Sequence, residues 1–208
     1  MSRSAGVATP LVLALTVDPS GTTRPIYPAF VAAAGPDATG YALLPVDNDG
    51  VVRRFDERIE IGGSTVPTLA GQIAGRLGRE VGHGLIDYAA GNAFDYLPLH
   101  AVLEWHDAGD TRKLDDAFGG KVVLLGGVFR FEDRLAAPVN LLAWDAQAVN
   151  APGVVLHAQA LRNLLNDGLI APVPRWIVAA LCLLMAVGWF VASEFALAAG
   201  AVLATKIW

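Results

Sequence analysis

Apolar positions come in short runs over residues 1–175 and then in one long block, and the two regimes predict different kinds of structure. The run at 11–17 (LVLALTV) predicts a buried strand, followed by a loop rich in proline and glycine at 18–28 and a short helix at 29–34. Residues 41–46 and 51–61 predict the two arms of a hairpin around Asp47, Asn48, Asp49 and Gly50. Asp and Asn tolerate turn conformations there, and Gly supplies a positive φ. Residues 66–77 predict a helix with Pro67 in its first turn, 85–88 a short strand, 98–105 a helix and 110–118 a short polar helix. The wholly apolar run at 122–125 lies between glycine pairs at 119–120 and 126–127, the composition of a central strand covered on both faces. Residues 154–165 predict a helix with Leu156, Ala160, Leu161, Leu164 and Leu165 at its apolar positions, stopped by Asn166, Asp167 and Gly168. Alternation of this kind predicts an α/β domain, a mixed sheet with flanking helices.

The tail obeys another rule. Residues 176–192 (WIVAALCLLMAVGWFVA) carry no charge. As a helix this stretch is roughly 26 Å long, close to the ~30 Å hydrocarbon core of a bilayer. Trp176 and Trp189 lie near its ends, where indole rings favour the headgroup boundary. Residues 195–208 are apolar again after Ser193 and Glu194. A charge at mid-bilayer costs about 2.5–3.5 kcal/mol, so Glu194 reads as a turn or interfacial residue, with a second, partial span cut short at Trp208. The expected organisation is a partial extracytoplasmic domain at 1–174 and one complete plus one partial transmembrane helix at 175–208. The first strand, at 11–17, also needs neighbours, so the sequence reads as a fragment at both ends.

Composition sharpens this picture. Hydrophobic residues make up 54% and charged ones 17%, against about 45–50% and about 25% in ordinary soluble domains. Of 15 basic and 20 acidic residues, only Glu194 and Lys206 follow Trp176. No basic stripe is present to neutralise phosphates, which excludes nucleic acid as a partner. The single cysteine, Cys182, lies in the apolar tail, so no internal disulfide forms. Arg175 and Lys206 flank the apolar tail and leave almost no charge bias to orient it.

Motifs for catalysis or metal binding fail on spacing. FGGKV at 118–122 resembles the end of a phosphate-binding loop, but Asp115 stands where its first glycine belongs and Val122 where a hydroxyl should hold magnesium. Asp47, Asp49 and Gly50 match part of a calcium loop, yet Pro45 occupies the first ligand position and the predicted flanks are strands. His83, His100, His106 and His157 show no metal-ligand spacing. No catalytic residue, metal or cofactor is expected.

Three segments in order do add up. PVDNDGVVRR (45–54), GGKVVLLGG (119–127) followed by Asp133 and Pro138, and PGVVLHAQAL (152–161) resemble the type-2 CHASE domain, a cyclase/histidine-kinase-associated sensory extracellular domain. IDYAAG (86–91) is similar to the family's strand before the middle helix, and the entry through Pro174 and Trp176 to its membrane helices. Ala137 departs from the family's threonine. The resemblance implies the sensory part of an inner-membrane receptor, extracytoplasmic or periplasmic, that controls a nucleotide cyclase or protein kinase lying outside this sequence. It implies a small-molecule or envelope ligand, contact with the lipid bilayer, and room for a homodimer.

The polar residues the matching segments supply are Arg53, Asp133 and His157, expected to bind ligand. Asp47, Asp49, Gly50, Gly126, Pro152 and Gly153 are expected to shape turns. Plainer readings stand beside these: Arg53 as an exposed strand charge, Asp133 as a cap or a partner of Arg130 or Arg134, His157 as a satisfied core histidine. Two other functions compete with the sensor. One is a membrane-anchored hydrolase pairing Asp133 with His157; the other is an envelope module that binds a partner and senses no ligand.

Overall fold

The computed structural model describes residues 10–80, 82–166 and 168–204, the last eleven as backbone only. In chain order the elements are β1 (Leu13–Leu15), α1 (Pro28–Ala34), β2 (Thr39–Tyr41), β3 (Arg54–Asp56), β4 (Arg58–Ile61), β5 (Ser64–Pro67) and α2 (Leu69–Arg76), then β6 (His83–Leu85), α3 (Leu99–Asp107), α4 (Thr111–Phe118), β7 (Arg134–Ala136), β8 (Asn150–Pro152), α5 (Gly153–Leu165) and α6 (Arg175–Ala204). They form two compact units, Met1–Ile170 and Ala171–Trp208.

Helix α5 organises the first unit. Its Val155, Leu156, Ala160, Leu161 and Leu164 are buried with Val52, Phe55, Ala70, Ala74, Ile86, Leu141, Leu142 and Ala151. These spacings of three to five residues place the side chains on one broad face, which α2 meets. The helix ends as predicted: the Gly168 N–H reaches the Asn163 carbonyl at 2.8 Å, with Gly168 at φ +84°. Helix α2 begins one turn later than its pattern suggested, because Pro67 closes β5 and Thr68 is the cap, its hydroxyl accepting from the Gly71 N–H at 3.4 Å.

The expected mixed sheet is replaced by four separate two-stranded ladders. β1 runs parallel to β2, while β3–β6, β4–β5 and β7–β8 are antiparallel. The strands are three or four residues long, and isolated bridges such as Val51 with Ala136 and Leu85 with Ile170 tie β7 and β6 to chain outside the ladders. The run at 122–125 is not a strand. It finds no ladder partner among the described residues, and Val123 and Leu125 are exposed. An apolar run becomes a strand only where a neighbour takes its backbone groups. Lys121 instead turns back, its Nζ donating to the Asp116 and Ala117 carbonyls at 2.8 and 3.0 Å, where a cation suits the end of α4.

The turn at 47–50 forms, with Asp47 N–H to Val51 O at 3.0 Å and Gly50 N–H to Asp47 O at 2.8 Å, but its arms do not pair as a hairpin. The true hairpin is β4–β5, closed by Gly62 and Gly63 at φ +56° and +80°, a two-residue turn whose twist matches its strands.

In the second unit α6 is a single helix of 30 residues, so the expected turn at Glu194 and the separate partial span after it are not found. The helix runs through Ser193, whose hydroxyl finds a partner within it by donating to the Phe190 carbonyl at 2.7 Å, and the alanines and leucines that follow are strong helix formers. Residues 205–208 of the expected second span lie outside the described residues. Arg175–Ser193 is long and apolar enough to cross a membrane, with mean hydropathy 2.2.

Candidate functional site

The first unit holds an open-mouthed cavity of about 280 Å³. Its lining comes from β1 and the chain after β2 (Ala14, Thr16, Ala42, Leu44), from the unpaired run at 124–127, from Asp133 and Leu135, and from the start of α5 (Gly153, Val154, His157). Most of these groups are apolar, with few polar groups among them, the usual character of a small-molecule site. Gly126 is needed where it is: a Cβ there would lie 2.6 Å from the Val154 Cβ and push the run away from α5.

Asp133 stands at the mouth in an unusual backbone conformation, φ +50°. Its carbonyl accepts the Gly153 N–H at 2.9 Å, and both carboxylate oxygens sit 2.7 Å from where a Cβ on Gly153 would be. Glycine at the head of α5 therefore makes room for a carboxylate at the positive end of the helix. Loss of solvent pushes the Asp133 pKa up, opposed by the Gly153 N–H. Its neighbour Arg134 bonds to the Phe129 and Asn150 carbonyls instead.

His157 lies one turn further along α5, 5% exposed. Burial lowers its pKa to about 4, opposed by the Ala42 carbonyl, so the ring is neutral at physiological pH. Its Nδ1 has no hydrogen-bond partner among the described residues. Buried polar atoms are almost always paired, so this one departs from the satisfied core histidine that the sequence also allowed. Asp133 and His157 share the cavity, but no hydrogen bond joins them among the described residues.

Arg53 is elsewhere occupied and is not among the lining residues described. Its guanidinium grips Asp49 at 2.8 and 2.7 Å and Asp47 at 3.1 Å, while Arg54 Nε reaches Asp47 at 3.1 Å. The hydrogen bond from Arg53, then the Val51 N–H, hold the Asp49 carboxyl at about 2. The two aspartates and two arginines of the 45–54 segment thus lock the turn that carries Gly50.

Two residues of α5 escaped the sequence reading. Gln159 and Asn163, both buried, clamp the chain that follows β6. Asn163 Oδ1 accepts the Asp87 N–H at 2.6 Å, and its Nδ2 donates to the Asp87 carbonyl at 3.1 Å. Gln159 donates to the Asp87 and Ala90 carbonyls at 2.6 and 3.1 Å. The signal for them was present: two amides four residues apart on an otherwise apolar helix face.

The family model of the CHASE2 domain matches residues 5–192. The chain belongs to the CHASE2 domain family. CHASE2 is an extracellular sensory domain of signalling receptors, and the chain adds an apolar helix fit to anchor such a domain in a membrane. No curated protein and no solved structure matches the chain. In this CHASE2 domain two of the three segments that carried the resemblance contribute to the cavity, Leu124 to Gly127 from the second and the start of α5 from the third. The third, 45–54, forms the locked turn.

Proposed function

We propose that this chain is the extracytoplasmic, ligand-binding part of a transmembrane receptor of the inner membrane. A small molecule occupies the cavity beside the start of α5, with Asp133 and His157 as its polar contacts. Occupancy favours one arrangement of the soluble unit, and the helix that begins at Arg175 carries the bias to a cytoplasmic nucleotide cyclase or protein kinase. A homodimer, with two such helices side by side, suits that transfer. The observation that supports this reading most is an open, mostly aliphatic cavity of about 280 Å³ in which two of the three family-like segments bring Asp133 and His157 together. Ala42→Leu, which fills the cavity with three further carbons, should fix the output of a receptor carrying this chain at one level whatever is supplied outside the cell. Output that still responds as in the unmodified receptor would overturn the reading.

One observation favours the envelope-module alternative: Leu125, Phe129 and Phe131 are strongly exposed within one short loop, Phe131 at 90%. In that case Phe131→Ser changes function and Ala42→Leu does not.

A further inference from the structure

Residues 121–129 run without a turn or a bend, yet from Val122 to Val128 no backbone N–H or carbonyl is bonded within the protein among the described residues. The stretch borders the cavity at Leu124 to Gly127, and its Val122, Val123 and Leu125 are exposed. Strand β1, which brings Ala14 and Thr16 to the same lining, pairs on one side only, with β2. An extended edge offers N–H and C=O groups in alternation, and another extended backbone answers both in step. Where such an edge lies beside a pocket, main-chain bonds give affinity and alternate side chains give selectivity. The cavity supplies the pocket. Its lining is mostly aliphatic, and its volume of about 280 Å³ exceeds the ~150 Å³ that encloses a benzene, so a branched aliphatic side chain fits. Charge gives a direction. Gly126 lies against Val154 and Asp133 against Gly153, which places the Asp133 carboxylate at the Gly126 end of the stretch. Asp133 makes no ion pair among the described residues. A peptide antiparallel to the stretch begins at that end, where its ammonium group meets the carboxylate.

We infer that the site binds a short extended peptide, paired antiparallel with residues 122–127, with an aliphatic side chain in the cavity and a free amino end at Asp133. This rests on the reading of the cavity as the sensing site and names the class of molecule sensed. Successive side chains of an extended peptide point to opposite faces, so an alternating sequence turns its aliphatic residues inward and its polar ones to water.

The pentapeptide amide Val-Thr-Val-Thr-Val, with a free amino end, tests this on the full chain in detergent micelles. Its affinity would be read by ligand-observed NMR, and its site by amide hydrogen exchange. Binding should slow exchange at alternate residues of 122–127. An antiparallel neighbour uses the N–H of every other peptide residue. Two isomers exploit this, one N-methylated on both threonines and one on the two later valines. One should bind like the parent and the other at least about tenfold more weakly, the effect of stripping hydrogen bonds from the paired edge. Acetylating the amino end should weaken binding about two- to fivefold, the range of a partly exposed ion pair, and should change nothing in Asp133→Asn. The isomer comparison in the unmodified chain carries the test even if that variant fails to fold. Equal binding by both isomers would overturn strand pairing, and free and acetylated peptides bound alike by the unmodified chain would overturn the antiparallel placement. No binding by the parent, with exchange unslowed, would overturn the peptide class. Failure of the sensing reading itself shows separately, as receptor output that still responds when Ala42→Leu fills the cavity.

Discussion

Replacing Asn163 and Gln159 singly and together tests whether α5 holds the segment after β6 by shared hydrogen bonds. Asn163→Leu keeps the branching and heavy-atom count of the side chain but strips the Asp87 N–H of its 2.6 Å partner, while the Asp87 carbonyl keeps Gln159. A buried donor left unpaired costs about 1–3 kcal/mol, so the expected loss is about 2 kcal/mol. Gln159→Leu removes donors from the Asp87 and Ala90 carbonyls, but each retains another: Asn163 for the first at 3.1 Å, Arg162 for the second at 3.0 Å. Its expected cost is nearer 1 kcal/mol. The double variant leaves the Asp87 carbonyl bare, so it should lose about 2 kcal/mol more than the sum of the singles. Chemical denaturation of the four proteins measures the totals, and amide hydrogen exchange at Asp87 reports the local opening. Strict additivity, or an Asp87 amide equally protected in Asn163→Leu, would refute the reasoning.

Three further outcomes follow from the same structure. The His157 pKa is about 4 folded against an ordinary 6.5, so as pH falls the unfolded chain binds the proton first. Stability should drop by up to about 3 kcal/mol between roughly pH 6.5 and pH 4, a loss absent from His157→Phe, as denaturation midpoints against pH will show. Gly71→Ala would put a Cβ 2.7 Å from the Glu57 carbonyl oxygen and should destabilise by about 1–3 kcal/mol, whereas Gly75→Ala, with open space at its Cβ, should stabilise by up to about 1 kcal/mol in thermal melts. Arg53→Ala should lower the melting temperature more at low ionic strength than at about 1 M salt, because salt weakens but does not abolish partly exposed ion pairs held in direct contact.

Helices α2, α4 and α5 were legible because each buries one periodic face or caps itself locally. α5 follows its leucines and stops at its glycine, and α4 starts at Asp110, whose carboxylate accepts the Lys113 N–H at 3.1 Å. The ladders were not, because pairing depends on which distant segment arrives. Residues 122–125 look like a strand by composition, yet form no ladder among the described residues, and Leu124 and Leu125 line a cavity. The β4–β5 hairpin could have been found, since two glycines between alternating strands are strong turn chemistry; the Asp-Asn-Asp-Gly turn drew attention away from it. For the candidate site, the three family-like segments pointed to His157 and Asp133, which share the cavity, and to Arg53, which the neighbouring aspartates hold in a turn. Sequence shows a histidine on an apolar helix start; only the fold shows that its nitrogen goes unanswered.

The central claim is an extracytoplasmic sensing cavity, and thiol labelling tests it most directly. Thr16 is exposed and lines the cavity, and Cys182 in α6 is the chain's single cysteine. In the Cys182→Ser, Thr16→Cys chain expressed in intact cells, a membrane-impermeant thiol reagent should label position 16 without permeabilisation, and adding Ala42→Leu to fill the cavity should slow the reaction. Labelling only after the cells are permeabilised, or at a rate Ala42→Leu leaves unchanged, would contradict the account.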